Sequence, residues 1–256
     1  MEANTETSTD LEGKTAFITG AAQGLGQAIA HAMHAAGARV VLADINKTVE
    51  ETAARFENVD GETVSAVCLD VRDINAFEDA FTSAAEQMGG IDIVVNNAAV
   101  TVIRQIWDID LQEWDEVLET NLRSVFFGCQ IAGRHLRERG WGRIINLTSL
   151  AGQQPSRVAG AHYAASKAGI ISVTKNFAQA LAGTGVTVTA IAPAAIHTPM
   201  MDTLPAERIE ALRQSIPVGR IGEPAEIGAM SVYLASDSAS FITGATIDIN
   251  GGLYMR

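Results

Sequence analysis

Lys14-Thr-Ala-Phe-Ile-Thr-Gly20-Ala-Ala-Gln-Gly24-Leu-Gly26 is the stretch whose reading decides the fold. Its first half is apolar and β-branched and reads as a strand that stops at Gly20. From Gly24 an Ala-rich run to Ala36, closed by Gly37, reads as a helix. A tight glycine turn between a strand and a helix N-terminus lets a pyrophosphate approach backbone N–H groups and the positive end of the helix dipole. A glycine turn alone also suits a purely structural bend. The strand–turn–helix context favours a dinucleotide site built from Gly20, Gln23, Gly24, Leu25 and Gly26. The next strand, Arg39-Val-Val-Leu-Ala43, ends at Asp44. A carboxylate there accepts hydrogen bonds from ribose hydroxyls and repels a 2′-phosphate, so NAD is expected rather than its phosphorylated form.

Outward from this unit, short apolar runs alternate with longer helical stretches. Further strands are expected at Thr63–Cys68, Ile91–Asn96, Arg143–Leu147, Val186–Ala192 and Ala245–Ile249. Strands that mostly lead into helices predict a Rossmann-type, doubly wound α/β fold, a seven-stranded parallel sheet with helices on both faces. Without a linker or a repeat, one catalytic domain is expected over 13–256, preceded by a disordered tail over 1–12. That tail is polar and has no basic residue, which resembles neither a secretory nor a mitochondrial signal. Two long helices are expected, Leu111–Arg139 and His162–Leu181.

The net charge of −12 argues against nucleic-acid or anionic-membrane partners. No apolar run reaches the length of a membrane span. Cys68 and Cys129 lack metal spacing and read as reduced core residues of a cytoplasmic protein, with no metal expected. Trp107 and Trp114 are expected to pack around the crossover helix.

His162-Tyr163-Ala-Ala-Ser-Lys167 opens the second long helix. Tyr163 and Lys167 are four apart and share one helix face. An ammonium beside a phenol favours the phenolate, which would lower the Tyr163 pKa toward that of a working general acid/base. By itself Tyr-x-x-x-Lys is a common accident of amphipathic helices.

Taken together, these motifs resemble the short-chain dehydrogenase/reductase family over about residues 12–256. The carriers are Thr19 with Gly20-x-x-x-Gly24-x-Gly26, Asp70-Val71, Asn96-Asn97-Ala98-Ala99, Thr120-Asn121-Leu122, Ser149, Tyr163 with Lys167, Ile242-Thr243-Gly244 and Asn250-Gly251-Gly252. Two positions depart from the pattern: Ala99 and Ala194 stand where the family often has glycine. The resemblance implies hydride exchange between NAD and a carbinol or carbonyl carbon. Tyr163 would be the acid/base, Lys167 would hold the nicotinamide ribose, Ser149 would position the substrate oxygen, and Asn121 would anchor a relay water. It also implies cofactor contacts at Asp70, Val71, Asn97, Ala98, Ile196 and Thr198. The segment 194–218, with Met200, Met201, Pro205 and Pro217, is expected to be a lid. Pairing of the two long helices between subunits would give a homotetramer.

The expected activity is NAD-dependent interconversion of a secondary alcohol and a ketone on a small-molecule substrate, with a polyol or sugar suggested by Gln153, Gln154 and His197. A 3-oxoacyl-thioester reductase is the alternative, although Asp44 opposes that group's usual phosphate-bearing cofactor. A non-catalytic NAD-binding sensor has no need of the full Asn121, Ser149, Tyr163 and Lys167 set.

Overall fold

The computed structural model describes residues 10–56, 63–156, 159–198, 201 and 205–255. Its strands are β1 (Thr15–Thr19), β2 (Arg39–Asp44), β3 (Val64–Cys68), β4 (Ile93–Asn96), β5 (Gly142–Leu147), β6 (Val186–Pro193) and β7 (Thr246–Ile249). They form one seven-stranded sheet in the order β3-β2-β1-β4-β5-β6-β7. Every pairing is parallel, with Phe17 at the centre flanked by Val41 and Val94.

Alternation along the strands divides the core between two faces. Ala16, Ile18, Val40, Leu42, Ile93 and Val95 pack with Ile29 and Met33 of α1 (Gly24–Ala35) and Ile227 and Leu234 of α8 (Pro224–Ala235). Phe17, Val41, Val94 and Ile144 face the other way. They meet Phe77 and Phe81 of α3 (Ile74–Met88), Cys129 and Leu136 of α5 (Ser124–Arg139) and Ile170 of α6 (Ala161–Ala180). Phe17 is fully buried and stacks on Phe77 with centroids 6.0 Å apart. Truncating such a residue costs about 3–5 kcal/mol. The helix α3 shows how sequence sets its ends: the Asp73 side chain accepts from the Ala76 N–H, and Gly89 closes the helix at φ +72.

Four expectations need correction. The tail does not extend to residue 12: Leu11 is buried in the core and its N–H donates to the Ala36 carbonyl. An isolated leucine beside β1 gains more from burial than from exposure. Residues 1–9 of that tail lie outside the described residues. The long crossover is not one regular helix. It comprises α4 (Leu111–Leu118), a π-helical turn (Glu119–Arg123) and then α5. Trp107 is 92% exposed on a short 3-10 turn ahead of α4, and Trp114 is 40% exposed on a helix whose buried contact is Val117, so neither packs fully. Cys68 ends an edge strand and is exposed, whereas Cys129 is buried.

The remaining helices are α2 (Thr48–Ala53) and α7 (Ala206–Ser215), the latter inside the expected lid. Pro199, Met200 and 202–204 of that lid lie outside the described residues, while Met201 is buried. Among the described residues no helix is long and apolar enough to cross a membrane.

Candidate active site

The sheet order places its switch point between β1 and β4, whose chain crossovers leave in opposite directions and open a crevice at the carboxyl ends of the strands. The glycine turn lies on this crevice. Gly20 and Gly24 adopt φ +66 and +59, the left-handed region that glycine enters without strain. At Gly26 a Cβ would stand 2.1 Å from the Gly20 carbonyl oxygen, so only glycine lets α1 approach the turn. At Gly24 a Cβ would meet nothing within 4 Å, which leaves open space over the turn. Gln23 makes no side-chain cap and the first turn of α1 carries no acidic residue. The leading N–H groups of α1 are thus left without a side-chain acceptor and favour an anion.

Asp44 is held by two backbone donors. Its Oδ2 accepts from Ala22 N–H at 3.0 Å and its Oδ1 from Asn46 N–H at 2.9 Å. The carboxylate is thereby fixed beside the turn with lone pairs to spare. Open space, uncapped helix N–H groups and a fixed acceptor together fit a dinucleotide.

The other expected cofactor residues divide by what their side chains already do. The Asn97 amide donates to the Thr19 and Gly20 carbonyls, and the N–H groups of Asn97 and Ala98 donate to Thr19 Oγ1. These four bonds tie the end of β4 to the turn. Asp70 accepts a bidentate bond from Arg72, whose guanidinium holds its carboxyl below the usual range. Val71 and Ile196 point into the two apolar cores, so a cofactor would meet their backbone. Leu25 packs on the core beside α1, and Thr198 is half-buried. Ala99 is exposed, which gives its methyl room where the family often has glycine.

The part of the crevice expected to hold the acid/base pair is organised by α6. Its buried stripe of His162, Ser166, Lys167, Ile170 and Thr174 faces inward, and Tyr163 sits half-buried at its edge. Lys167 is buried, and its Nζ donates to the Leu147 carbonyl at 2.8 Å. The Thr148 hydroxyl donates to the Lys167 carbonyl at 2.6 Å. A Cβ on Gly152 would come 2.6 Å from the same backbone, so the turn after β5 closes directly onto α6. Ser149 caps that turn by accepting from Ala151 N–H at 3.1 Å.

The electrostatics differ from the expectation. Lys167 Nζ stands 5.6 Å from the Tyr163 ring centroid, yet the phenol pKa is raised, by burial. Burial also lowers Lys167 to about 8. By the pH at which the phenol ionises, the amine has lost its proton and offers no charge to favour the phenolate. What opposes burial is hydrogen bonding from Ser149 and from Thr101, a residue the sequence reading passed over.

Asn121 lies in the π-helical turn and is fully buried. Its Oδ1 accepts from Val100 N–H at 2.8 Å, and its amide donates to the Val100 carbonyl and to Ser166 Oγ. Both amide hydrogens are engaged by protein, so the side chain pins the segment after β4 onto α6. His162 is fully buried with Nε2 3.2 Å from Glu113 Oε1. Glu113 in turn is bound by Arg104 at 2.6 Å, and that guanidinium holds its carboxyl below the usual range. Gln153, expected among the substrate-facing polar groups, donates its amide to Asp248 at 2.6 Å. His197 is exposed, and its N–H donates to the Gly222 carbonyl. Among the described residues no three His, Cys, Asp or Glu side chains form a metal cluster.

Comparison with known proteins adds an independent line. A family model described as Enoyl-(Acyl carrier protein) reductase matches residues 20–254. The chain is 37% identical to 3-oxoacyl-(acyl-carrier-protein) reductase FabG of Vibrio cholerae, over 96% of this chain and 99% of that protein. Among solved structures, one from Sinorhizobium meliloti, provisionally described as a short-chain alcohol dehydrogenase, superposes with a TM-score of 0.90. It shares 37% identity and covers 96% of this chain and 98% of its own. Another, from Agrobacterium tumefaciens and provisionally described as a gluconate dehydrogenase, has a TM-score of 0.90 and 31% identity, covering 96% and 98%.

Proposed function

The chain belongs to the short-chain dehydrogenase/reductase family, and from that premise we propose that it is an NAD-dependent enzyme interconverting a secondary alcohol and a ketone on a small hydroxylated substrate. The reaction class, an oxidoreductase, is that of the family. The observation that carries the rest is the placement of Tyr163, Ser149 and Lys167 at the same sheet edge as the glycine turn and Asp44. When bound, NAD would supply the hydride acceptor for oxidation of the carbinol carbon, and its reduced form the hydride donor for reduction of the carbonyl carbon.

The chain's residues handle the proton and the geometry. Tyr163 gives its phenolic proton to the carbonyl oxygen during reduction and takes it back from the alcohol during oxidation. Burial keeps the phenol protonated near neutral pH, which suits the donating role. Ser149 donates to the substrate oxygen and fixes it beside Tyr163. Lys167, lowered to about 8, exchanges protons near neutrality and can renew the proton that Tyr163 transfers. Asn121 fixes the segment that walls the site. The turn of Gly20, Gly24 and Gly26 would hold the pyrophosphate, and Asp44 would accept from the ribose hydroxyls.

The gluconate dehydrogenase description of one similar structure supports a polyhydroxylated substrate. The engagement of Gln153 by Asp248 removes one group from the polar wall that suggested a polyol. A second reading, reduction of a 3-oxoacyl thioester, draws on the 37% identity to the Vibrio cholerae reductase. Asp44 separates the two, because its carboxylate repels a 2′-phosphate. A homotetramer is part of the proposal, supported by small and aromatic residues left partly exposed on α5 and α6, among them Phe126, Ala165 and Ala168. We also propose a cytoplasmic location and one catalytic unit closed by the 194–218 segment.

The test is steady-state turnover with NAD and NADP over polyols, sugars, secondary alcohols and 3-hydroxyacyl thioesters. Tyr163→Phe should abolish turnover and leave NAD binding within about twofold. Normal turnover in that variant would overturn the assignment.

A further inference from the structure

We propose that His162 is a positioning residue for Tyr163: held by Glu113 of α4, its buried ring sets the rotation of the first turn of α6 and so aims the phenol. The inference deepens the proposed function and rests on Tyr163 as the acid/base group.

The first turn of α6 has little of its own to hold it. Its N-cap, Gly160, makes no side-chain cap, and the turn carries no acidic residue to meet the helix dipole. Helix ends of this kind fray. Yet Tyr163 stands in this turn, one residue after His162. What fastens the turn comes from elsewhere in the chain. The Gly160 N–H donates to the Val102 carbonyl at 2.8 Å. His162 lies fully buried against α4, its Nε2 3.2 Å from Glu113 Oε1.

Glu113 is itself fixed twice. Its N–H donates to Asp110 Oδ1 at 2.8 Å, the cap of α4. Its carboxylate accepts from Arg104 Nη2 at 2.6 Å and from Nε at 3.1 Å. Arg104 belongs to the segment after β4, so the chain Arg104–Glu113–His162 joins three separate stretches of the crevice wall. The second turn of α6 is held independently, by Asn121 through Ser166.

Two features set this ring apart from ordinary packing. Among the described residues its contact with Glu113 lies off hydrogen-bond alignment, and its Nδ1 has no hydrogen-bond partner. Burying so poorly satisfied a ring costs stability that leucine in the same space would not. The cap has also yielded to it: a Cβ on Gly160 would stand 2.2 Å from His162 Cε1 and 2.5 Å from Nδ1. The helix gives up a capping side chain to seat the imidazole.

Neighbouring helix residues point about 100° apart, so an imidazole turned to α4 leaves the phenol at the edge of the crevice. A rotation of about 10° about the helix axis moves an atom about 5–6 Å from it by about 1 Å. A misplacement of that size can cost about a hundredfold in rate.

The experiment places 3-fluorotyrosine in the protein and reads Tyr163 by fluorine NMR, assigned through Tyr163→Phe, with Tyr233 and Tyr254 as internal controls. The same proteins are assayed for kcat and KM over the substrate panel above. His162→Leu should shift or split the Tyr163 resonance and leave those of Tyr233 and Tyr254 unmoved. It should lower kcat about ten- to a hundredfold, with the KM for NAD within about twofold. His162→Gln, which offers Glu113 an amide N–H from the same place, should restore the resonance and most of kcat. Glu113→Ala, at the outer end of the contact, should reproduce His162→Leu and serves if the leucine variant folds poorly. An unmoved Tyr163 resonance in both apolar variants, or full kcat in a variant whose resonance has moved, would overturn the proposal. Failure of the underlying assignment reads out separately, as turnover retained by Tyr163→Phe.

Discussion

Replacing Lys167 by methionine should stabilise the cofactor-free protein at neutral pH while removing an acid/base partner. Burial lowers the amine from its ordinary 10.5 to about 8. At 1.36 kcal/mol per pH unit, that difference sets about 3 kcal/mol against keeping the residue charged in the folded state at pH 7. The sign follows from proton counting. Below pH 8 both folded and unfolded chains hold the proton, and the full cost is present. Between 8 and 10.5 the unfolded chain binds more protons, so stability rises with pH and the cost fades. Methionine has a similar length and no charge, but it leaves the Leu147 carbonyl without its 2.8 Å donor. That loss returns about 1–2 kcal/mol, so the net gain at pH 7 is about 1–2 kcal/mol. Near pH 10.5 the gain should vanish or reverse, because only the lost hydrogen bond remains. Urea unfolding of wild type and Lys167→Met at matched concentration, at pH 7 and pH 10, measures the difference directly. A variant less stable at pH 7, or a gain that does not shrink with pH, would refute the reasoning.

Two further outcomes can be checked on the dinucleotide side. Asp44→Ala should raise the KM for NAD at least tenfold and narrow the preference over NADP; a wild-type enzyme that prefers NADP would contradict the role given to this carboxylate. Gly26→Ala places a methyl 2.1 Å from the Gly20 carbonyl. It should cost about 1–3 kcal/mol in urea unfolding, as overpacking does, and weaken NAD binding measured by calorimetry. Unchanged stability and affinity would show that the turn yields more easily than its geometry implies.

The sheet was legible because its central strands are buried and mostly apolar, with glycine or a polar residue at most ends. The Gly20–Gly26 turn was legible because positive φ and close approach both demand glycine, which leaves a mark in sequence. Lys167 and Tyr163 could be placed on one helix face, since i and i+4 always stack. Their electrostatics could not, because a pKa depends on burial and on which group titrates first, and neither is a property of spacing. Leu11 was misread because one apolar residue in a polar segment has no periodicity to reveal it.

The π-helical turn over Glu119–Arg123 sets the phase between the two halves of the crossover. Each residue added to or removed from a helix rotates everything beyond it by about 100°. On the α4 side, that phase puts Glu113 against His162. On the α5 side, it turns Val125, Cys129, Ala132 and Leu136 to the sheet. Deleting one residue from the turn would restore regular helix and put the two halves out of step, so that only one could keep its seat. Single-residue length changes in this stretch should therefore be far less tolerated than substitutions. Insertion and deletion scanning would find there a short interval in which chain length itself is part of the active site.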